Sequence, residues 1–259
     1  MVIMALDHVR DFFYKVNLEE AGSAATGPTD LETTYPMLFF TRWITHFCAP
    51  IFVFLAGSSI YLMSLKKTKQ ELSMFLIKRG FWLVIVEAII ITLGWTFNPL
   101  YNLIILQVIW AIGVSMILLG VLVLLPYRII FAIGLIIVFG HNLLDYPAIS
   151  SGLKGSALAD FLYFSNFSVY SPFKDHYILI VYSFLPWTGV MLLGYSFGKL
   201  YAPSVDAAWR RKKLIQLGAG LLLLFVLLRF SNLYGDPVAW TTQSRGPVYT
   251  FLSFLNVNK

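Results

Sequence analysis

The sequence predicts an all-α, polytopic membrane helix bundle of about seven transmembrane helices, and three observations carry that prediction. Hydrophobic residues make up 58% of the chain and charged ones only 12%, about half the charged share of a soluble domain. Several apolar runs reach the roughly 20 residues that a helix needs to cross a bilayer. The basic residues gather in alternate loops, as they do in chains threaded through a membrane.

Taken in order, the first apolar stretch meets Asp7 after a few residues. It is too short to span alone and reads as the end of a helix that begins before Met1. A basic n-region and a cleavage site are both missing, so it is not read as a secretory signal. An acidic loop follows at about 17–36, with Glu19, Glu20, Asp30 and Glu32. Helices are then predicted at 37–65, 80–98, 101–125, 129–145, 176–200 and 213–232. The outer segment 146–175, rich in Phe and Tyr, reads as an interfacial helix or a lid. Pro50 and Pro186 break helical hydrogen bonding, which in membranes often accompanies a cavity. Gly57, Ser58 and Ser59 give the second helix a small face for close packing. The whole of 1–259 is read as one transmembrane domain.

The net charge of +6 is explained by topology and not by nucleic acid. Lys66, Lys67, Lys69, Lys78 and Arg79 fall in one loop, Arg128 in the next of the same side, and Lys199 with Arg210 to Lys213 in the third. The loops between them are acidic or nearly neutral. Basic loops stay in the cytoplasm, so these three are placed there, in a multi-pass protein of the cell membrane. Cys48 is the only cysteine, which excludes a disulfide within the chain.

That orientation places all four histidines, His8, His46, His141 and His176, at the extracytoplasmic end of their helices. Ionisable groups at membrane depth are costly and mark functional sites. Residues three and four apart share a helix face. Asp7 then lies over Arg10 and Asp11, His8 over Asp11, Arg42 over His46, and His141 over Asp145. A carboxylate beside an imidazole fixes its tautomer and raises its basicity, as a general base requires. Asp7, His8, Arg42 and His46 are therefore the candidate catalytic residues. Arg229, Asn232 and Asp236, with His141 and Asp145, are the candidate substrate-binding residues. His176, after Lys174 and Asp175, reads as an interfacial residue at a helix start. Glu87 is placed in the cytoplasmic half of its helix, near Arg79. No metal site, P-loop or dinucleotide-binding glycine motif is present in the pattern. Asn166, Phe167 and Ser168 form a glycosylation sequon, a pattern common by chance.

Three stretches, MVIMALDHVRDFF at 1–13, TRWITHFCAPIFVFLAGSSIYL at 41–62 and RFSNLYGDPVAW at 229–240, together with SFLNVNK at 253–259, resemble the bacterial branch of the heparan-alpha-glucosaminide N-acetyltransferase-like membrane proteins. The resemblance implies a transmembrane acyltransferase. Such an enzyme takes an acetyl group from cytosolic acetyl-CoA, a co-substrate and not a bound cofactor, and delivers it to a hydroxyl or amine, as of a sugar, on the far side. It also implies a histidine base. The loop 17–36 holds no histidine, and His8 resembles instead the helix-end histidine of the wider membrane acyltransferase superfamily. The family's usual length implies further residues before Met1 and further helices after Lys259. A homo-oligomer is compatible with this reading. The same Asp, His and Arg groups also suit a proton-coupled transporter of a small polar solute, with Glu87 and His46 relaying protons. Paired His46 and His141 would suit a haem.

Overall fold

A computed structural model describes residues 2–13, 27–165, 167–236 and 238–257, with no account of the side chains of 10–12. Most of these residues are helical. Among the described helices, three are long and apolar enough to cross a membrane: Pro36–Ser64, Tyr127–Asp145 and Ala207–Ser231. The chain forms two compact units. One combines Met1–Ile51 with Arg211–Lys259, here the terminal unit; the other, the central unit, is Phe52–Arg210.

The terminal unit holds α1 (Val2–Phe13) and α2 (Pro36–His46), the start of α3 (Cys48–Ser64), most of α11 (Ala207–Ser231), and α12 (Pro247–Leu255). Pro36 opens α2, where a missing N–H costs nothing. Pro50 ends it: without an N–H it cannot bond the carbonyl of His46. The helix predicted at 37–65 is present as the span Pro36–Ser64, with one irregular turn at Phe47, whose N–H turns back to Ile44 O at 3.3 Å. The nine-residue α12 lies beyond any predicted element.

The central unit holds the rest of α3, then α4 (Lys69–Val86), a π-helical turn (Glu87–Ile91) and α5 (Thr92–Thr96). Next come β1 (Leu103–Leu106), α6 (Val108–Leu122), α7 (Tyr127–Gly140), a 3-10 turn (His141–Asp145), α8 (Pro147–Leu153), α9 (Ala157–Ala159) and a second π-helical turn (Asp160–Phe164). It closes with β2 (Ser168–Phe173), β3 (His176–Ile180) and α10 (Leu185–Gly198). Val53, Leu76, Leu119, Met191 and Leu192 form the buried core. At the α3–α10 crossing the two backbones meet at Gly57 and Gly194, and a Cβ on either would strike the other helix's backbone. Ser58 Oγ then donates across to Gly194 O at 2.9 Å.

The helix directions in this unit follow the predicted alternation. Lys69 Nζ reaches Leu124 O and Leu125 O at 3.2 Å, and at the opposite end Glu87 Oε1 accepts from Gln107 N at 2.8 Å; α4 and α6 are thus antiparallel. Tyr127 OH donates to Ser196 O at 2.8 Å, which sets α7 against α10 in the same way. Lys66, Lys67, Lys69, Arg128, Lys199 and Arg210 therefore gather at one end of the unit. Glu87, His141, Asp145 and Asp160 gather at the other.

Several boundaries correct the sequence reading. The first is the helix predicted at 80–98, which starts at Lys69. Thr68 caps it, with Glu71 Oε2 accepting from Thr68 N at 2.9 Å in a capping box. Glu87 is thereby about 27 Å along the helix from Lys69, at the end away from the basic residues and with no link to Arg79. The chain is also not all-α: β1, β3 and β2 form a three-stranded sheet in that order. β1 runs parallel to β3, Leu103 opposite Tyr177, and β2 runs antiparallel to it, Tyr170 opposite Ile178. The strands replace the predicted starts of the helices at 101 and 176, because Ile104 and Ile105, and Tyr177, Ile178, Ile180 and Val181, are β-branched or aromatic. His176 is thus an exposed strand residue, and Pro186 starts α10 instead of breaking a helix. The described residues of 146–175 form two short helices, a π turn and a strand, not one interfacial helix. Asn166 of the sequon lies outside the described residues.

Candidate active site

In the terminal unit the predicted catalytic residues meet across α1 and α2. Asp7 Oδ1 lies 3.3 Å from Arg42 Nη1, with 20% and 34% of the two side chains exposed. The same oxygen accepts from Thr45 Oγ1 at 2.6 Å. Thr45, 2% exposed, also approaches Arg42 O at 3.0 Å. His8 and His46 flank this pair on exposed positions of the two helices. These bonds carry the Asp7 carboxylate to α2, where it orients Arg42. The alternative partner of His8, the Asp11 side chain, lies outside the described residues. The orientation read from the basic loops put Asp7 and Arg42 at one depth. Thr45 was missed because a threonine among apolar residues carries no signal until the partner helix is known.

The two arginines differ in how many of their donors are already used. A guanidinium has five N–H donors. Arg229, 6% exposed, uses every one inside the protein: Nε to Phe254 O at 2.9 Å, Nη1 to Asp236 Oδ2 and Val238 O at 2.9 Å, and Nη2 to Ser253 O at 3.0 Å and Asn256 O at 2.7 Å. It has no donor left for a substrate. Asp236 turns its other oxygen to Val238 N at 3.0 Å. Asn232, left-handed at φ 51°, exchanges both amide ends with the Trp240 backbone at 3.2 and 3.3 Å. The described residues of 229–240 thus form a self-closing corner between α11 and α12, and these three residues hold that corner. Arg42 is the opposite case. Among the described residues its one partner side chain is Asp7, which leaves most of its donors for a ligand.

The central unit holds the other histidines and a second polar group. His141 Nδ1 donates to Ile137 O at 2.8 Å, which in the neutral ring leaves Nε2 as the acceptor. Its ring meets Tyr163 edge-on, 5.7 Å between centroids. Tyr163 OH donates to Asp145 Oδ2 at 2.7 Å. Here 141–145 is a 3-10 turn, and Tyr163 touches both residues, the His141 ring edge-on and Asp145 through its hydroxyl. A second pair, Tyr170 OH to Asp160 Oδ2 at 2.7 Å, lies beside it in sequence. Asp160 is buried, and its hydrogen bond holds the Tyr170 phenol above the usual range because the neutral hydroxyl is the donor. Glu87 is fully buried, and its carboxylate caps the amide end of α6. Among the described residues no group of three His, Cys, Asp or Glu side chains is arranged to hold a metal.

The sequence profile described as "Heparan-alpha-glucosaminide N-acetyltransferase, catalytic" matches residues 29–228, well over half of the chain. The chain belongs to that family. Acetyltransferase-type chemistry is what the family brings to this fold, in a membrane protein. The matched span contains Arg42, Thr45, His46, His141 and Asp145; Asp7, His8 and the corner at 229–240 lie outside it. No curated protein and no solved structure matches the chain.

Proposed function

We propose that the chain is a transmembrane acyltransferase that moves an acetyl group from cytosolic acetyl-CoA to a hydroxyl or amine, as of a sugar, on the extracytoplasmic side. The observation that carries this reading is the open guanidinium of Arg42, paired with Asp7, whose carboxylate also accepts from Thr45, at a helix–helix contact between two exposed histidines. His8 removes the proton of the acceptor as the nucleophile attacks the thioester carbonyl. Arg42, with His46, stabilises the oxyanion, a contribution of about 3 kcal/mol for one well-placed donor. The C–S bond then breaks as the new C–O or C–N bond persists, and the CoA thiolate leaves with the proton from the His8 imidazolium. Within the central unit, His141, Asp145 and Tyr163 form a second polar group of a kind suited to hydroxyl recognition.

The orientation rests on charge. In the central unit Lys66, Lys67, Lys69, Arg128, Lys199 and Arg210 lie at one end and outnumber Glu71 and Asp206 there, while Glu87, Asp145 and Asp160 lie at the other, an imbalance in the sense of cytoplasmic basic loops. With the apolar helices of both units the chain would pass the cell membrane about seven times. The test is acetyl transfer from radiolabelled acetyl-CoA by purified protein, with a panel of amino sugars and polyols as acceptors. Wild type transfers label and His8→Ala, equally folded, loses transfer. Full turnover in His8→Ala removes His8 from the mechanism.

A further inference from the structure

The geometry points to Thr45 as a positioning residue that keeps Arg42 available to the reacting acyl group, an inference that rests on the acyl-transfer reading above. Thr45 Oγ1 stands 2.6 Å from Asp7 Oδ1, while the guanidinium of Arg42 stands 3.3 Å from the same oxygen. The shorter bond belongs to the neutral hydroxyl, although a carboxylate bonded to arginine ordinarily forms the shorter and stronger pair, often bidentate. Thr45 therefore takes the share of Asp7 that would otherwise draw Arg42 into a closed ion pair.

The rotation of α2 fixes this division. Successive helical residues turn by roughly 100°. Trp43 and Thr45 consequently face nearly opposite ways. Trp43 Nε1 donates to Leu255 O of α12 at 3.1 Å, and Thr45 donates to Asp7 of α1. Pinned on both sides, α2 cannot turn to shorten the Arg42–Asp7 contact. Residues 42 and 46 lie within roughly 40° of each other on the wheel, so the same clamp sets the direction in which His46 is presented. Thr45 is 2% exposed and reaches no substrate. Its effect passes through Asp7 to Arg42.

Two variants separate the hydroxyl from the side-chain volume. Thr45→Val keeps the shape and removes the donor; Thr45→Ser keeps the donor. The full chain in detergent is treated with phenylglyoxal, an arginine-directed reagent, and the Arg42 adduct is quantified by peptide mass spectrometry. Modification of Arg42 slows several-fold in Thr45→Val, where Asp7 closes on the guanidinium, keeps the wild-type rate in Thr45→Ser, and speeds up in Asp7→Asn. In acetyl transfer, kcat of Thr45→Val falls about 10–100-fold, the scale of a small misplacement of a reacting group, while KM for acetyl-CoA holds. Wild-type Arg42 modification in Thr45→Val, or a Thr45→Ser protein as slow as Thr45→Val, overturns the inference. Should wild type transfer no acetyl group at all, the acyl-transfer reading falls, and the modification rates still decide whether Thr45 governs Arg42.

Discussion

Replacing Arg229 by alanine removes five hydrogen bonds at once and leaves Asp236 as a buried carboxylate without its cation. Both side chains of the pair are 6% exposed, so water cannot replace the guanidinium without opening the corner at 229–240. Breaking one half of a buried pair costs about 3–5 kcal/mol. At roughly 3 °C per kcal/mol for a chain of this size, the unfolding midpoint falls by about 10 °C. Arg229→Lys restores the charge but offers three donors instead of five, and recovers less than half of the loss. The double variant Arg229→Met with Asp236→Leu removes the unpaired charge together with its partner. It is therefore more stable than Arg229→Ala, since a buried ion pair replaced whole is often neutral. The assay is thermal unfolding of purified protein in one detergent, followed by intrinsic tryptophan fluorescence. An Arg229→Ala protein that unfolds at the wild-type temperature refutes the assignment of this residue to structure.

Other substitutions follow from the same geometry. Gly57→Leu drives a side chain into the Met191 carbonyl and the Tyr195 amide; overpacking of this kind costs about 1–3 kcal/mol and is read as a lower unfolding midpoint, while Gly218→Leu, which meets nothing within 4 Å, leaves it unchanged. Glu87→Ala strips the partner from Gln107 N and destabilises by about 1–3 kcal/mol; Glu87→Gln, which keeps an acceptor at that N–H, loses less in the same assay. For pH, Tyr170 ionises above its ordinary value because Asp160 accepts its proton-bearing hydroxyl. A group whose pKa is raised on folding adds stability below its unfolded value, and that stability is lost as pH rises through the folded one. The hairpin of β2 and β3 therefore loosens at alkaline pH, seen as amide exchange, and Tyr170→Phe abolishes that alkaline step.

How far this was legible in the residues depended on whether an element's signal lay in its own sequence. α7 and the apolar length of α11 announce themselves by long apolar runs, and the alternation of helix directions followed from where lysine and arginine fall. The start of α4 was hidden because Lys69, Lys78 and Arg79 read as loop charge, although a capped helix carries them without difficulty. β1 and β3 were taken for helix because a short apolar run of Leu and Ile fits either period. Their pairing joins residues 103 and 177, which no local pattern reveals. In the site, charge type showed Asp7 and Arg42 but not how many donors each arginine had left. Arg229 looked like a substrate ligand because sequence reports a charge and not its partners. Thr45 was silent for the complementary reason: its meaning lies in one contact with another helix.

The central claim is that Arg42 is the functional arginine and Arg229 the structural one. Acetyl transfer and unfolding temperature measured side by side on Arg42→Ala and Arg229→Ala test it most directly. The account predicts that Arg42→Ala unfolds within a few degrees of wild type and loses about 100-fold or more in turnover, whereas Arg229→Ala loses its stability first. An Arg42→Ala protein that turns over at the wild-type rate would contradict it.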